Sequence, residues 1–134
     1  MILLPAPHGS SAYMTWLASQ PCAACQRLYG VTNHGVQLHH LRVWGLPRRT
    51  NNPLRNYSVI PLCPAHHTDG PEAVHRMGEQ QFLERLGTNA DDLLLHYYAA
   101  YVPTRYLPTP PAGAGARQMA QWLLERESGV RLND

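Results

Sequence analysis

Two ligand pairs, Cys22-x-x-Cys25 and Cys63-x-x-His66, far apart in the chain, narrow the possible folds more than any other feature of this sequence. A C-x-x-C turn lets two thiolates reach one tetrahedral ion, and a second pair from a distant segment completes a Cys3His set, the closed arrangement of structural zinc. A chain that must bring these four side chains to one point has little topological freedom left. The composition suits such a brace. The chain has 134 residues, 44% of them hydrophobic, with twelve prolines, ten glycines and a single Phe. One compact domain rich in loops is expected, its small core drawn from Leu, Tyr and Trp. Three cysteines cannot pair off. Residues 1–7 are apolar but short, without a basic start and broken by Pro5 and Pro7, so no secretory leader is expected and the compartment reads as a reducing cytoplasm. No stretch approaches the roughly 20 apolar residues of a membrane span.

A second ligand group is all histidine: His39-His40, His67 and His75. Neighbouring side chains in a strand point to opposite faces, so one of His39 and His40 is expected to bind an ion while the other faces elsewhere. If His39 is the ligand, His40 is left beside the ion as a neutral imidazole, a competent general base. His67 follows His66 directly and projects away from the zinc knuckle. In an unbroken helix His75 would lie roughly 12 Å further along the axis, too far to share an ion. Gly70-Pro71 breaks any such helix and lets the chain turn back, so that both rings can converge. The only carboxylates expected nearby are Asp69 and Glu72. By donor type an all-nitrogen site prefers Zn2+, Mn2+ or Ni2+, although an ion also held by phosphate oxygens, Mg2+ included, escapes that rule.

Charge is distributed unevenly. Residues 1–68 hold five arginines and no acid, whereas residues 69–134 hold six arginines and nine acids. A basic half without internal acids suits a polyanion such as nucleic acid. Within it, residues 42–56 carry Arg42, Arg48, Arg49 and Arg55 among Gly45, Pro47 and Pro53, and read as an exposed basic loop.

Around these motifs the elements read as follows. A short helix capped by Ser10 or Ser11 runs to Ala18, burying Tyr13, Met14, Trp16 and Leu17. Residues 22–41 are an irregular knuckle, strand and turn, and residues 57–62 a brief strand into Cys63. One helix spans residues 72–86 around Val74, Met77, Phe82 and Leu83. Another spans residues 90–101, with Thr88 and Asp91 as its capping box. Residues 103–116 are a Pro/Gly-rich linker to an amphipathic helix in 117–134, expected to pack back on the core. The organisation expected is thus an N-terminal helical segment (1–21), a zinc-binding domain (22–102), the linker and the last helix.

The run His39-His40-Leu41, then Arg55-Asn56-Tyr57-Ser58-Val59-Ile60-Pro61-Leu62-Cys63-Pro64-Ala65-His66-His67, then Gly70-Pro71 and His75, preceded by Cys22 and Cys25, resembles the Ref-type (RecA-dependent) HNH nucleases and related HNH proteins of phages and prophages. The resemblance covers about residues 22–87. It implies an α+β chain built on a zinc-stabilised ββα-metal core: a hairpin carrying the paired histidines, a loop, and a helix carrying the last ligands. It also implies that His39 binds the catalytic ion, that His40 activates water, and that His67 and His75 complete the ion's shell. The middle Asn of the motif name falls on Asn56 by the local Asn-Tyr match, and on Ser58 by counting back from Cys63. His66 stands where many relatives have Cys. The implied activity is endonucleolytic hydrolysis of DNA in a bacterial or phage-infected cell. Arg42, Arg48, Arg49 and Arg55 would hold the phosphate backbone, and a RecA-type filament is the implied partner. The alternative is a non-catalytic zinc module that binds nucleic acid, for which the second histidine group has no use.

Overall fold

The computed structural model describes residues 9–47 and 49–128. Residues 1–8, Arg48 and residues 129–134, and the readings that fall on them, lie outside it. Eight helices and strands are labelled here: α1 (Gly9–Ala18), α2 (Ala23–Tyr29), β1 (Gln37–His40), β2 (Val59–Leu62), α3 (Val74–Met77), α4 (Glu79–Arg85), α5 (Ala90–Tyr101) and α6 (Ala116–Ser128). Short 3-10 turns at Pro53–Tyr57 and Val102–Arg105 and a wide π-helical turn at Ala65–Asp69 complete the order. The chain is α+β, as the sequence implied, with a single two-stranded sheet among the described residues.

β1 and β2 are antiparallel, with Gln37 opposite Leu62, His39 opposite Ile60 and His40 opposite Val59. One further bond, from the Leu41 N–H to the Ser58 carbonyl at 2.7 Å, extends the pairing by a residue. An isolated hairpin of this length is marginal in water. It survives because Val59, Ile60 and Leu62 are fully buried beneath α1 and α2. The long connection between the strands reverses at Trp44 and Gly45, both with left-handed backbone (φ 60° and 68°), and returns through the 3-10 turn at Pro53.

A tyrosine cluster forms the centre of the core. Tyr13 from α1, Tyr57 from the 3-10 turn, and Tyr98 and Tyr101 from α5 are all buried, with Tyr13 stacked on Tyr57 at 5.1 Å and edge-on to Tyr101 at 5.0 Å. Ring pairs of this geometry contribute about 0.5–1.5 kcal/mol beyond the area they bury. Most of the hydroxyls are satisfied. Tyr98 donates to the Tyr57 carbonyl, while Tyr57 and Tyr101 donate to the Glu127 carboxylate at 3.1 and 2.6 Å. Arg105 donates to the same carboxylate at 2.9 Å. Glu127 therefore fastens α6 to the core, and α6 packs on α1 and α5 with Ala116, Met119, Ala120, Leu123 and Leu124 buried.

The Tyr13 hydroxyl, by contrast, is buried without a partner among the described residues. Leaving such a group dry costs about 1–3 kcal/mol. Tyr13→Phe is therefore expected to leave the denaturation midpoint unchanged or raise it, whereas Tyr98→Phe, which orphans the Tyr57 carbonyl, should lower stability by about 1 kcal/mol. Paired chemical-denaturation curves measure both.

Several sequence expectations need correcting. Residues 22–41 hold the expected short strand, and the knuckle adds a short helix not singled out in the sequence, α2, capped by Cys22, whose sulfur accepts from the Cys25 N–H at 3.4 Å. Ser10 and Ser11 fall inside α1 instead of preceding it. The single helix expected over 72–86 is two, split at Gly78, whose backbone (φ 89°, ψ 146°) only glycine adopts readily. Thr88 is not the cap of α5. Its N–H is used by the end of α4, bonding the Leu83 carbonyl, and Asn89 caps instead by accepting from the Asp92 N–H at 2.9 Å. The connection in 103–116 opens with a 3-10 turn, partly buries Leu107 and Ala114 against the core, and passes into α6 one residue before Arg117.

Candidate metal centres

The wide turn at Ala65–Asp69 determines how the two ligand groups are placed, because it carries His66 and His67 in succession. His66 faces the knuckle. Its Nδ1 lies 3.8 Å from Cys22 Sγ, 3.5 Å from Cys25 Sγ and 3.3 Å from Cys63 Sγ, and the Cys25 and Cys63 sulfurs are 3.8 Å apart. Zn–S and Zn–N bonds of ordinary length set tetrahedral edges of about 3.8 Å between sulfurs and about 3.6 Å between sulfur and nitrogen. The four residues fit a tetrahedral zinc, all four are buried, and together they could hold the ion. Burial, then the neighbouring Cys22 sulfur, pushes the Cys25 thiol up to about 12, so that it holds its proton until a cation displaces it.

His67 faces the other way. Its Nε2 lies 3.1 Å from His75 Nε2, and its ring centroid is 5.2 Å from that of His39. One nitrogen from each of His39, His67 and His75 lies within 4.8 Å of the others, so these three rings form a second group that could hold an ion. Gly70 makes the convergence possible. It is extended, its N–H closes the π turn on the Ala65 carbonyl at 2.9 Å, and α3 then brings His75 back over His67. A methyl group on Gly70 would sit 2.5 Å from the Ala65 oxygen. Gly70→Ala must therefore open the turn that carries both His66 and His67. A stability loss of about 1–3 kcal/mol is expected, accompanied by weaker binding at both centres, which thermal melts and metal titrations would record.

Two of the converging rings are held from behind. His67 Nδ1 bonds Gln37 Oε1 at 2.7 Å, and His39 Nε2 bonds Glu79 Oε1 at 3.1 Å. Glu79 also accepts the Arg42 backbone N–H through both oxygens, at 3.1 and 3.0 Å. Burial opposes its charge, but the bonds from His39 and Arg42 outweigh it and keep the carboxyl below the usual Glu range. The sequence reading missed this residue and pointed to Asp69 and Glu72 instead. Asp69 accepts from Thr68, and Glu72 pairs with Arg85 and Tyr29 on the surface. The available signal was Gly78, which starts a new helix at Glu79 beside the strand end.

A cavity of about 1150 Å³ opens over the histidine group. His39, His67, His75 and Glu79 line it with His40, Arg42, Arg55 and Ser58, and Leu38, Leu46 and Val74 supply apolar wall. His40 is half-buried, and its Nε2 is enclosed without a hydrogen-bond partner among the described residues. Burial, then the charge of Arg55, then His39 lower its pKa, favouring the neutral ring. Of the two candidates for the middle motif position, Ser58 lines the cavity and donates to the Arg55 carbonyl at 2.8 Å, whereas Asn56 sits half-buried in the 3-10 turn outside the lining. Arg49 is exposed and also outside the lining, and Arg48 lies outside the described residues.

Comparison with protein-family models, with curated proteins and with solved structures finds no match for this chain. Among the described residues no helix is long and apolar enough to cross a membrane.

Proposed function

We propose that this chain is a metal-dependent endonuclease of the HNH (ββα-metal) kind, hydrolysing DNA phosphodiesters with His40 as general base. One observation carries the reading. Three imidazoles converge, one nitrogen of each within 4.8 Å of the others, and a fourth histidine, His40, lines the same cavity with no partner for its Nε2 among the described residues. An unpaired buried nitrogen needs an explanation, and a base awaiting its proton donor supplies one. A module that only bound nucleic acid would need the Cys3His group and the arginines, but not this arrangement.

The residues divide the work. Arg42 and Arg55 at the cavity hold the phosphate, with Arg49 extending the positive surface outside it. His40 takes the proton of the attacking water. His39, His67 and His75 would hold the ion, whose positive charge would supply stabilisation of the charge that builds up as the phosphodiester is cut. Three imidazoles favour Mn2+, Ni2+ or Zn2+ in that place, and Mg2+ becomes competent when phosphate oxygens share it. The Cys3His group keeps the π turn in shape and takes no part in the reaction. A RecA-type filament is the partner that goes with this reading.

The test is plasmid nicking by the purified chain with Mg2+, Mn2+, Ni2+ and Zn2+ in turn. Nicked circles bearing 5′ phosphates are expected with at least one ion. DNA binding without cleavage under all four would favour the zinc-module reading instead.

A further inference from the structure

The two bonds behind the converging rings assign a role to residues that the motif does not contain. We propose that Glu79, seconded by Gln37, is a positioning residue that fixes the ring tautomers of the histidine centre. This inference rests on the reading of His39, His67 and His75 as one metal centre.

A neutral ring has one N–H and one lone pair, and whichever nitrogen donates outward leaves the other for an ion. Glu79 can only accept, so His39 must donate from Nε2, and its Nδ1 keeps the lone pair. Gln37 Oε1 likewise takes the proton of His67 Nδ1, leaving Nε2 as donor to the centre, 3.1 Å from His75 Nε2. Metal-binding histidines characteristically give their second N–H to a carboxylate or amide oxygen in this way.

Glu79 belongs behind the centre, not in it. The set of mutually close ligand atoms contains the three histidines and no carboxylate, so Glu79 reaches His39 alone. It is also the better anchored of the two helpers. Its side chain is 24% exposed and grips the Arg42 N–H with both oxygens, whereas Gln37 is an exposed neutral amide at the start of β1. The same carboxylate thus sets the orientation of a ligand ring and the start of the basic loop. The larger effect is expected at Glu79.

The experiment uses the full chain with its Cys3His site loaded with zinc and cobalt(II) as the probe for the second centre. Glu79→Gln is expected to weaken cobalt binding 10–100-fold, and Gln37→Ala by less, with melting temperature and zinc content unchanged. Nitrogen-15 spectra of the cobalt-free protein should show His39 protonated at Nε2 in the parent and a mixture of tautomers in Glu79→Ala. Unchanged cobalt affinity in a folded Glu79→Gln protein, or a parent His39 protonated at Nδ1, overturns the proposal. A parent that binds cobalt with these sensitivities yet nicks no DNA sinks the nuclease reading and leaves this one standing.

Discussion

His40→Ala is expected to lower the rate of DNA nicking by a factor of about 10²–10⁴, the usual contribution of a positioned general base, while leaving both metal centres and DNA affinity as they were. The reason lies in the hairpin. His39 and His40 are neighbours on β1, so their side chains leave opposite faces, and only His39 joins the ring cluster with His67 and His75. Removing the His40 ring takes nothing from that cluster, and it relieves a buried nitrogen of its missing partner, so folding should not suffer. His39→Ala would behave differently, losing bound ion and rate together. The pair separates base from ligand when rate and cobalt affinity are measured on the same preparations. Equal rates for parent and His40→Ala would remove His40 from the chemistry.

Loss of the Cys3His ion is expected to have the largest effect on the fold. Structural zinc in small domains contributes about 10–16 kcal/mol at neutral pH, comparable with or larger than the roughly 5–15 kcal/mol by which a domain is stable at all. A zinc held by the Cys3His group would tie Cys22 and Cys25 at the start of α2 to Cys63 after β2 and His66 on the π turn. Cys63→Ala or strong chelation should therefore loosen α2 and the π turn, and His67, on that turn, should lose its place beside His75. Cobalt affinity at the histidine centre should fall at least in step. The pH dependence follows from Cys25. With its thiol pushed up to about 12 in the metal-free chain, the site holds protons at neutral pH that zinc must displace. The bound form carries fewer protons than the free form, so zinc binds more tightly as pH rises and is released as pH falls. Titration calorimetry in buffers of different protonation enthalpy would reveal those protons at pH 7.

Much of the site was legible in the sequence because ligand chemistry is local. Cys22-x-x-Cys25 and Cys63-x-x-His66 declare themselves by spacing, and the structure brings the four together. The return of His75 to His67 followed from Gly70-Pro71, since glycine and proline end helices by simple sterics. What could not be read depended on contacts across the fold. Glu79 is forty residues from His39, and nothing in its own neighbourhood shows that a strand end will lie beside it. Gly78 lies within the single helix expected over residues 72–86, but its positive φ breaks that helix and starts a new one at Glu79. The α5 cap falls on Asn89, one residue after Thr88, whose N–H closes the end of α4 on the Leu83 carbonyl. The placing of Ser58, not Asn56, in the cavity follows from the 3-10 turn that precedes β2, which no hydrophobic period announces.

Two separate ions are expected in the loaded protein, and anomalous diffraction at the zinc and cobalt edges from crystals given both metals tests for them directly. One peak is expected about 2.3 Å from the sulfurs of Cys22, Cys25 and Cys63 and about 2.0–2.1 Å from His66 Nδ1, and a second among the rings of His39, His67 and His75. A single peak at the cysteines, or a second ion bound elsewhere while those three rings hold only one another, would contradict that expectation.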